Sequence, residues 1–325
     1  VVYYIPNKVC GGTMPFPIEE KFVVAVASSA LFNLEESHKV FQEQGEEEYR
    51  KYQREHEQVV LEQGVAFPLI KRLLMINGED PSDQPVEVIL LSRNDHDTGL
   101  RVLKSIEHYG LPISRAAFVA GSNPINYMEA FNASLFLSAN PDDVRAALSK
   151  GLPAAQVFPT EFVDNEEEAE LRIAFDFDGI IVDDSSEGIY QRLGMQSFHE
   201  NEKLKAGEAM PPGPLLKFFQ EVSRLQRSEW EKKQKDDSYT PRVRVAIATA
   251  RNAPAHERVV TTLRSLGVRV DEAFFLGGID KGRVLKIFRP HIFFDDQIGH
   301  IEGVSSISPS AHVPFGVTNL SSSTK

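Results

Sequence analysis

Short apolar runs bounded by turn-forming residues punctuate this chain. Residues 22–27 (FVVAVA), 86–91 (VEVILL), 117–120, 135–137, 173–175, 243–248 (VRVAIA), 274–276 and 292–294 each read as a buried strand. Segments of helical period lie between them. Residues 67–76 open near Pro68, which suits a first helical turn. Leu100, Val102, Leu103 and Ile106 mark a second helix, stopped at Gly110. Leu215, Phe218, Phe219, Val222 and Leu225 form one apolar stripe, ended by residues 232–237 and Pro241. Val259, Val260, Leu263 and Leu266 form another, which Pro254 can start and Gly267 ends. Residues 35–57 are charged and helical, a solvated face. Residues 185–212 read as polar and irregular. This alternation predicts an α/β protein built on parallel sheets.

The order repeats. The offset is 149 residues from Ala27 to Asp176, 157 from Ser92 to Thr249, 156 from Gly121 to Gly277 and 157 from Ser138 to Asp295. The strings AAFVAG and EAFFLGG fall in register. Two related, doubly wound, Rossmann-like domains are therefore expected. The predicted division is an extended arm at 1–20 and a first domain at 21–158. A linker at 159–170 leads to a second domain at 171–318, with a small cap insert at about 186–212 and a disordered tail at 319–325. At these offsets the first domain keeps the strands and lacks the acids. Ala27, Ser29 and Ser138-Ala139 face Asp176, Asp178 and Asp295-Asp296, and Ile125 falls near Lys281.

Composition narrows the function. The 325 residues exceed one small core, and 42% apolar with 25% charged is ordinary for a globular protein. A net charge of −12 argues against polymeric nucleic acid as a partner. A small anionic substrate is allowed where positive charge is local. Cys10 is the single cysteine, so no intrachain disulfide forms. No apolar run is long enough to span a membrane. No signal peptide opens the chain, and its first residue is Val, so the natural start is expected to lie upstream. A cytoplasmic location is the expectation.

The chemistry gathers after the strand at 173–175. Asp176 and Asp178, two apart in extended backbone, point to one side. Two like charges there are costly without a cation or a reaction that needs them. Thr249, Lys281 and Asp295-Asp296 stand at or beyond three further strand ends, the edge where open α/β sheets bind ligands. This ordered set resembles the haloacid dehalogenase superfamily of phosphohydrolases. The strings FNLEESHKVF, FPLIKRL, TARNA and RPHIFFDDQ, across about residues 20–317, are similar to the cytosolic 5′-nucleotidase I family.

The resemblance implies Mg²⁺-dependent hydrolysis of nucleoside 5′-monophosphates. Asp176 is the expected nucleophile, forming an aspartyl-phosphate, and Asp178 the expected proton donor and acceptor. Asp176, Asp178, Asp295 and Asp296 are the expected metal set. Thr249, Ala250, Arg251 and Lys281 are the expected substrate contacts. Members activated by nucleotides make ADP or ATP a candidate effector, with Arg93, Asn94, Ser122 and Asn123 as its expected contacts. A homo-oligomer is expected. Two other readings remain open: a phosphatase acting on another small phosphomonoester, and a nucleotide-sensing protein without turnover. The order Asp176-Phe177-Asp178-Gly179 departs from the DGD of that family, which loosens the transfer of base and sugar preference.

Individual residues also have plainer readings. Thr249 suits a helix cap, Lys281 a surface position, and Arg251 either a phosphate contact or solvent. His291 and His300 flank the acidic pair and read as structural. His199 lies where specificity could be read, and Trp230 reads as packing. Gly277-Gly278 lack the spacing of a dinucleotide fingerprint.

Overall fold

The computed structural model describes residues 16–320. The expected arm lies outside the described residues except for 16–20, and the expected tail except for 319–320.

The strands are β1 (Phe22–Val26), β2 (Val86–Ser92), β3 (Arg115–Phe118), β4 (Leu135–Ser138) and β5 (Ala154–Phe158) in the first half. The second half has β6 (Leu171–Phe175), β7 (Val243–Thr249), β8 (Glu272–Phe275), β9 (Ile292–Asp295) and β10 (Ser310–His312). They form one ten-stranded sheet in the order β3-β2-β1-β4-β5-β10-β9-β6-β7-β8. Each half therefore has its third strand outermost, then its second, first, fourth and fifth. Pairing within each half is parallel. At the seam β10 meets β5 antiparallel, with Ala311 opposite Val157. The C-terminal strand ends of the two halves consequently lie on opposite edges of the sheet.

The central strands are apolar on both faces, as a doubly covered parallel sheet requires. Both β1 and β6 are buried at every residue. The outermost strands are less buried and carry Arg115 paired to Glu87 and Glu272 paired to Arg244, charges that discourage edge-to-edge association.

In the first half the helices are α1 (Ser28–Leu31), α2 (Glu35–Gln44), α3 (Glu46–Glu55), α4 (Phe67–Met75), α5 (Leu100–His108) and α6 (Pro141–Ser149). In the second they are α7 (Ser185–Leu204), α8 (Leu216–Lys235), α9 (His256–Leu266), α10 (Gly282–Phe288), α11 (Ile298–Val304) and α12 (Val317–Leu320). On one face α4, α5, α8 and α9 share a core that crosses the seam between halves. Phe22 of β1 meets Phe218 of α8 at 5.7 Å, and Phe175 stacks on Phe294 at 5.3 Å. Full burial of such a side chain contributes about 1.5–3 kcal/mol. The other face has two separate cores, one under α6 and one under α10 and α11.

The repeat extends to individual hydrogen bonds. Leu61 N–H donates to Ser105 Oγ at 3.0 Å, and Met210 N–H donates to Thr262 Oγ1 at 3.1 Å. Asn140 N–H donates to Ser138 Oγ at 3.1 Å, and Gln297 N–H to Asp295 Oδ1 at 2.8 Å. Asn132 and Arg289, at matching positions, both have positive φ, 52° and 51°. Ile125 N–H donates to Asn123, and Gly282 N–H to Asp280. That pairing sets Lys281 against Pro124, one residue earlier than the sequence offset suggested.

Several expectations need correction. Residues 185–212 are largely helical: α7 runs to Leu204, with a break at Gly194 where φ is 80°. Among its residues only Ser186, Gly188 and Glu202 are buried, so no apolar stripe marks it as a helix. A broken helical segment stands at the matching place in the first half. The expected helix at 35–57 is α2 and α3, broken at Gly45 with φ 85°, and Gly45 corresponds to Gly194. Strands β3 and β8 begin earlier than their apolar runs because they are half-exposed edges. Helix α9 begins at His256, two residues after Pro254. Residues 159–170 contain no helix or strand, yet they are fastened to both halves. Asp164 grips the buried Arg72 at 2.7 and 2.8 Å, and Thr160 donates to the Ser305 carbonyl at 2.6 Å.

Candidate active site

The C-terminal ends of β6, β7 and β9 lie side by side, and the chain changes direction beyond each. Asp176 leaves β6 with its N–H on the Phe294 carbonyl at 2.8 Å. Its Oδ1 accepts the N–H of Phe177 at 2.7 Å. Asp295 ends β9, and Lys281 is the N-cap residue of α10. The Lys281 ammonium joins the two acids, 2.9 Å from Asp176 Oδ2 and 2.7 Å from Asp295 Oδ2. The surface reading of Lys281 fails, since it is 5% exposed. His300, from α11, sets Nδ1 3.0 Å from Asp295 Oδ2. It therefore faces the site, while His291 does not. His291 accepts the Arg172 N–H at 2.9 Å. Burial first, then Arg72, Arg172 and Arg289, push its pKa down to about 2, so it stays neutral.

Burial is the largest single influence on each member of the trio, and it prevails only at Asp176. It pushes the Asp176 carboxyl up to about 7, against the pull of Lys281 and with the push of Asp295. Burial also works against the Asp295 carboxylate, but Lys281 and His300 outweigh it and hold Asp295 below the usual range. Burial likewise opposes the charge on Lys281, and Asp176 and Asp295 more than compensate and raise its pKa. Removing one partner of such a buried set typically costs about 3–5 kcal/mol.

Asp178 is half-buried. Arg251 grips both its oxygens, Nε to Oδ2 at 2.7 Å and Nη2 to Oδ1 at 2.6 Å. Arg251 is 4% exposed, so the solvent reading of this residue fails. Thr249, the last residue of β7, accepts the Arg251 N–H at 3.1 Å, and Ala250 is exposed between them. Asp296 lies against Gly179: a Cβ on that glycine would sit 2.6 Å from Asp296 Cγ. Gly179 also has φ 71°, so both space and backbone call for glycine here.

Among the described residues, Asp176, Asp295 and His300 offer ligand atoms within 4.8 Å of one another. Two buried carboxylates suit a hard cation such as Mg²⁺. The sequence weighed His300 as structural and missed Glu202, which is buried against Arg251. Neither is marked by a pattern: one is a histidine on a short helix, the other one acid among many on a polar helix.

The four residues expected to contact an effector lie on the opposite sheet edge. Arg93 is held by Asp143, at 2.9 Å from its Nε, and by the Gly121 carbonyl at 2.8 Å. Asn94 accepts the Tyr49 hydroxyl at 3.1 Å, and Asn123 caps the Ile125 N–H at 3.0 Å. Ser122 is exposed in the turn after β3.

A mostly parallel, doubly covered sheet with acids and a lysine at its strand ends defines an α/β protein of the ligand-binding-edge class. A family model described as 5′-nucleotidase matches residues 14–320. The chain belongs to the 5′-nucleotidase family. It is similar to a human protein named cytosolic 5′-nucleotidase 1B, 32% identical over 319 residues, which are 96% of this chain and 52% of that protein. The chain spans about half the length of that relative.

Proposed function

We propose that this protein is an enzyme that hydrolyses nucleoside 5′-monophosphates to nucleoside and phosphate. The observation that carries the reading is Lys281 between Asp176 and Asp295, in a chain of the 5′-nucleotidase family. Asp176 attacks phosphorus, the bond to the 5′-oxygen breaks, and Asp178 gives that oxygen its proton. Water then attacks the aspartyl-phosphate, Asp178 takes a proton, and Asp176 is regenerated. Lys281 and the Thr249 hydroxyl stabilise charge on the phosphoryl oxygens, with Ala250 and Arg251 lining the same turn. Mg²⁺, held by Asp176, Asp295 and the neighbouring Asp178 and Asp296, would offset repulsion between the nucleophile and a dianionic substrate. A cation acts on Asp176 in the same sense as Lys281, favouring the charged nucleophile.

On this reading 171–318 is the catalytic unit and 21–158 a degenerate one without turnover. Arg93 bound to Asp143 favours a supporting role for the first-half loops over an ADP or ATP site. The name of the human relative supports a cytosolic location, and no described helix is long and apolar enough to cross a membrane. A homo-oligomer is part of the same proposal. The test is phosphate release from a panel of nucleoside monophosphates and sugar phosphates, with and without Mg²⁺. Release that prefers nucleotides and stops after chelation is expected. Full activity in the chelated, desalted protein contradicts the metal requirement, and preference for sugar phosphates contradicts the substrate class.

A further inference from the structure

Glu202 has no role in the reaction above, yet it is 0% exposed. It accepts from Ser186 Oγ at 2.8 Å, from Arg258 Nη1 at 2.9 Å, from Asn201 Nδ2 at 3.2 Å and from Arg251 Nη1. The opposite edge of the Arg251 guanidinium carries Asp178. The rings of Phe177 and Phe198 approach that guanidinium at 5.7 and 5.5 Å. All three of its nitrogens are thus committed to protein groups, and one face of the chain of contacts leads from α7 to the site.

The first half supplies an internal control. The offset of 149 residues sets Gln53 against Glu202, Tyr49 against Phe198 and Ser29 against Asp178. The offset of 157 sets Asn94 against Arg251 and Arg101 against Arg258. The same scaffold closes there without a carboxylate, on Arg101 and three neutral side chains. Arg101 Nη1 reaches Gln53 Oε1 at 3.4 Å, Gln53 Nε2 donates to the Tyr49 hydroxyl at 3.1 Å, and that hydroxyl donates to Asn94 at 3.1 Å. Gln53 is as hidden as its counterpart, at 3% exposed. This unit therefore folds without a carboxylate at that position. A buried ion pair is no better for stability than a well-packed neutral one. The charged version occurs where Asp178 stands.

We propose that Glu202 is a positioning residue for the reaction: it holds Arg251 by one edge so that the other edge fixes the Asp178 carboxylate. The proposal rests on the reading of Asp178 as proton donor and acceptor. Glu202 acts through Arg251 and touches neither substrate nor metal. Its loss should therefore fall on kcat and leave KM unchanged.

The test is a cycle of Glu202→Gln, Arg251→Asn and the double variant. For each, kcat and KM for the best nucleoside monophosphate are measured in saturating Mg²⁺, with folding checked by circular dichroism and melting. Glu202→Gln should lower kcat about 10- to 100-fold, the range expected for a misplaced reacting group, with KM unchanged. The double variant should be no slower than Arg251→Asn alone, because Glu202 has nothing left to position. A folded Glu202→Gln protein with the wild-type kcat overturns the proposal, as do effects that multiply in the double variant. If Glu202→Gln melts below the assay temperature, the double variant carries the test, since its neutral pair matches Gln53 and Asn94. Equal kcat to Arg251→Asn supports the proposal there, and a slower double variant overturns it. Wild-type protein that hydrolyses no nucleoside monophosphate removes the reading of Asp178 itself, an outcome distinct from any in the cycle.

Discussion

The two halves of this chain share one topology and differ in charge at one edge. Both run their strands in the order third, second, first, fourth, fifth, and both break a helical segment at a glycine of positive φ. Where the second half has Asp176, Asp178, Arg251, Lys281 and Asp295, the first has Ala27, Ser29, Asn94, Pro124 and Ser138. The scaffold bonds survive these exchanges. Thr249 Oγ1 accepts the Arg251 N–H at 3.1 Å, and Ser92 Oγ accepts the Asn94 N–H at 3.2 Å. The difference teaches which polar groups serve the fold and which do not. A side-chain oxygen caps the strand end in both halves, a hydroxyl at Ser92, Ser138 and Thr249 and a carboxylate at Asp295, whereas the buried lysine between two acids occurs in one. The antiparallel seam also sends the two strand-end edges apart. Within one chain the first-half edge therefore does not adjoin the acidic one.

The comparison breaks most sharply at Asp176. Asp176→Asn makes that position as incapable of nucleophilic attack as Ala27. Phosphate release should disappear while the protein stays folded by circular dichroism, with a melting temperature at or below the wild-type value because Lys281 loses one of its two buried partners. A variant that retains appreciable turnover would move the nucleophile elsewhere.

A smaller effect is expected at Gly179. Its first-half counterpart is Ala30, buried in α1, and the counterpart of Asp296 is Ala139. The glycine accompanies the acid because a Cβ would collide with Asp296. Gly179→Ala should push Asp296 aside and lower kcat up to about 100-fold. It should also cost about 1 kcal/mol or more from the positive φ alone. Unchanged kinetics and an unchanged denaturation midpoint would show that the close approach has no consequence.

The smallest effect concerns acid stability. Burial works against the Glu202 carboxylate, but Arg251, Ser186 and Arg258 outweigh it and hold its pKa below 4.5. A depressed folded-state pKa contributes stability that is complete above the unfolded value. That contribution is lost as pH falls through the folded one. The amide of Gln53 has no such titration. The urea midpoint of Glu202→Gln should therefore fall less steeply below about pH 4.5 than that of the wild-type protein. Parallel curves would show that Glu202 titrates as an ordinary carboxylate.

Much of this was legible in the sequence, for identifiable reasons. The central strands carry continuous apolar runs, so β1, β2, β6 and β7 were readable to within a residue or two. Asp176 follows β6 directly, and Asp295 closes the equally apolar β9. The strands that join the halves were not readable. β5 begins Ala-Ala-Gln and β10 is Ser-Ala-His, buried by neighbours rather than by their own hydrophobicity. That is why one sheet looked like two. Glu202 was hidden for a similar reason, since its importance comes from burial opposite residues far away in sequence. Arg251 was visible as part of TARNA, but its partner choice, Asp178 on one edge and Glu202 on the other, depends on α7 folding over the strand ends.

The central claim is that the second half alone carries the reaction, through Asp176. The most direct measurement is to quench the protein in acid during turnover of a nucleoside monophosphate labelled in its phosphate, then map the labelled peptide. The account predicts acid-stable, base-labile label on the peptide containing Asp176, absent in Asp176→Asn. Label on any first-half peptide, or turnover by Asp176→Asn at the wild-type rate, would contradict it.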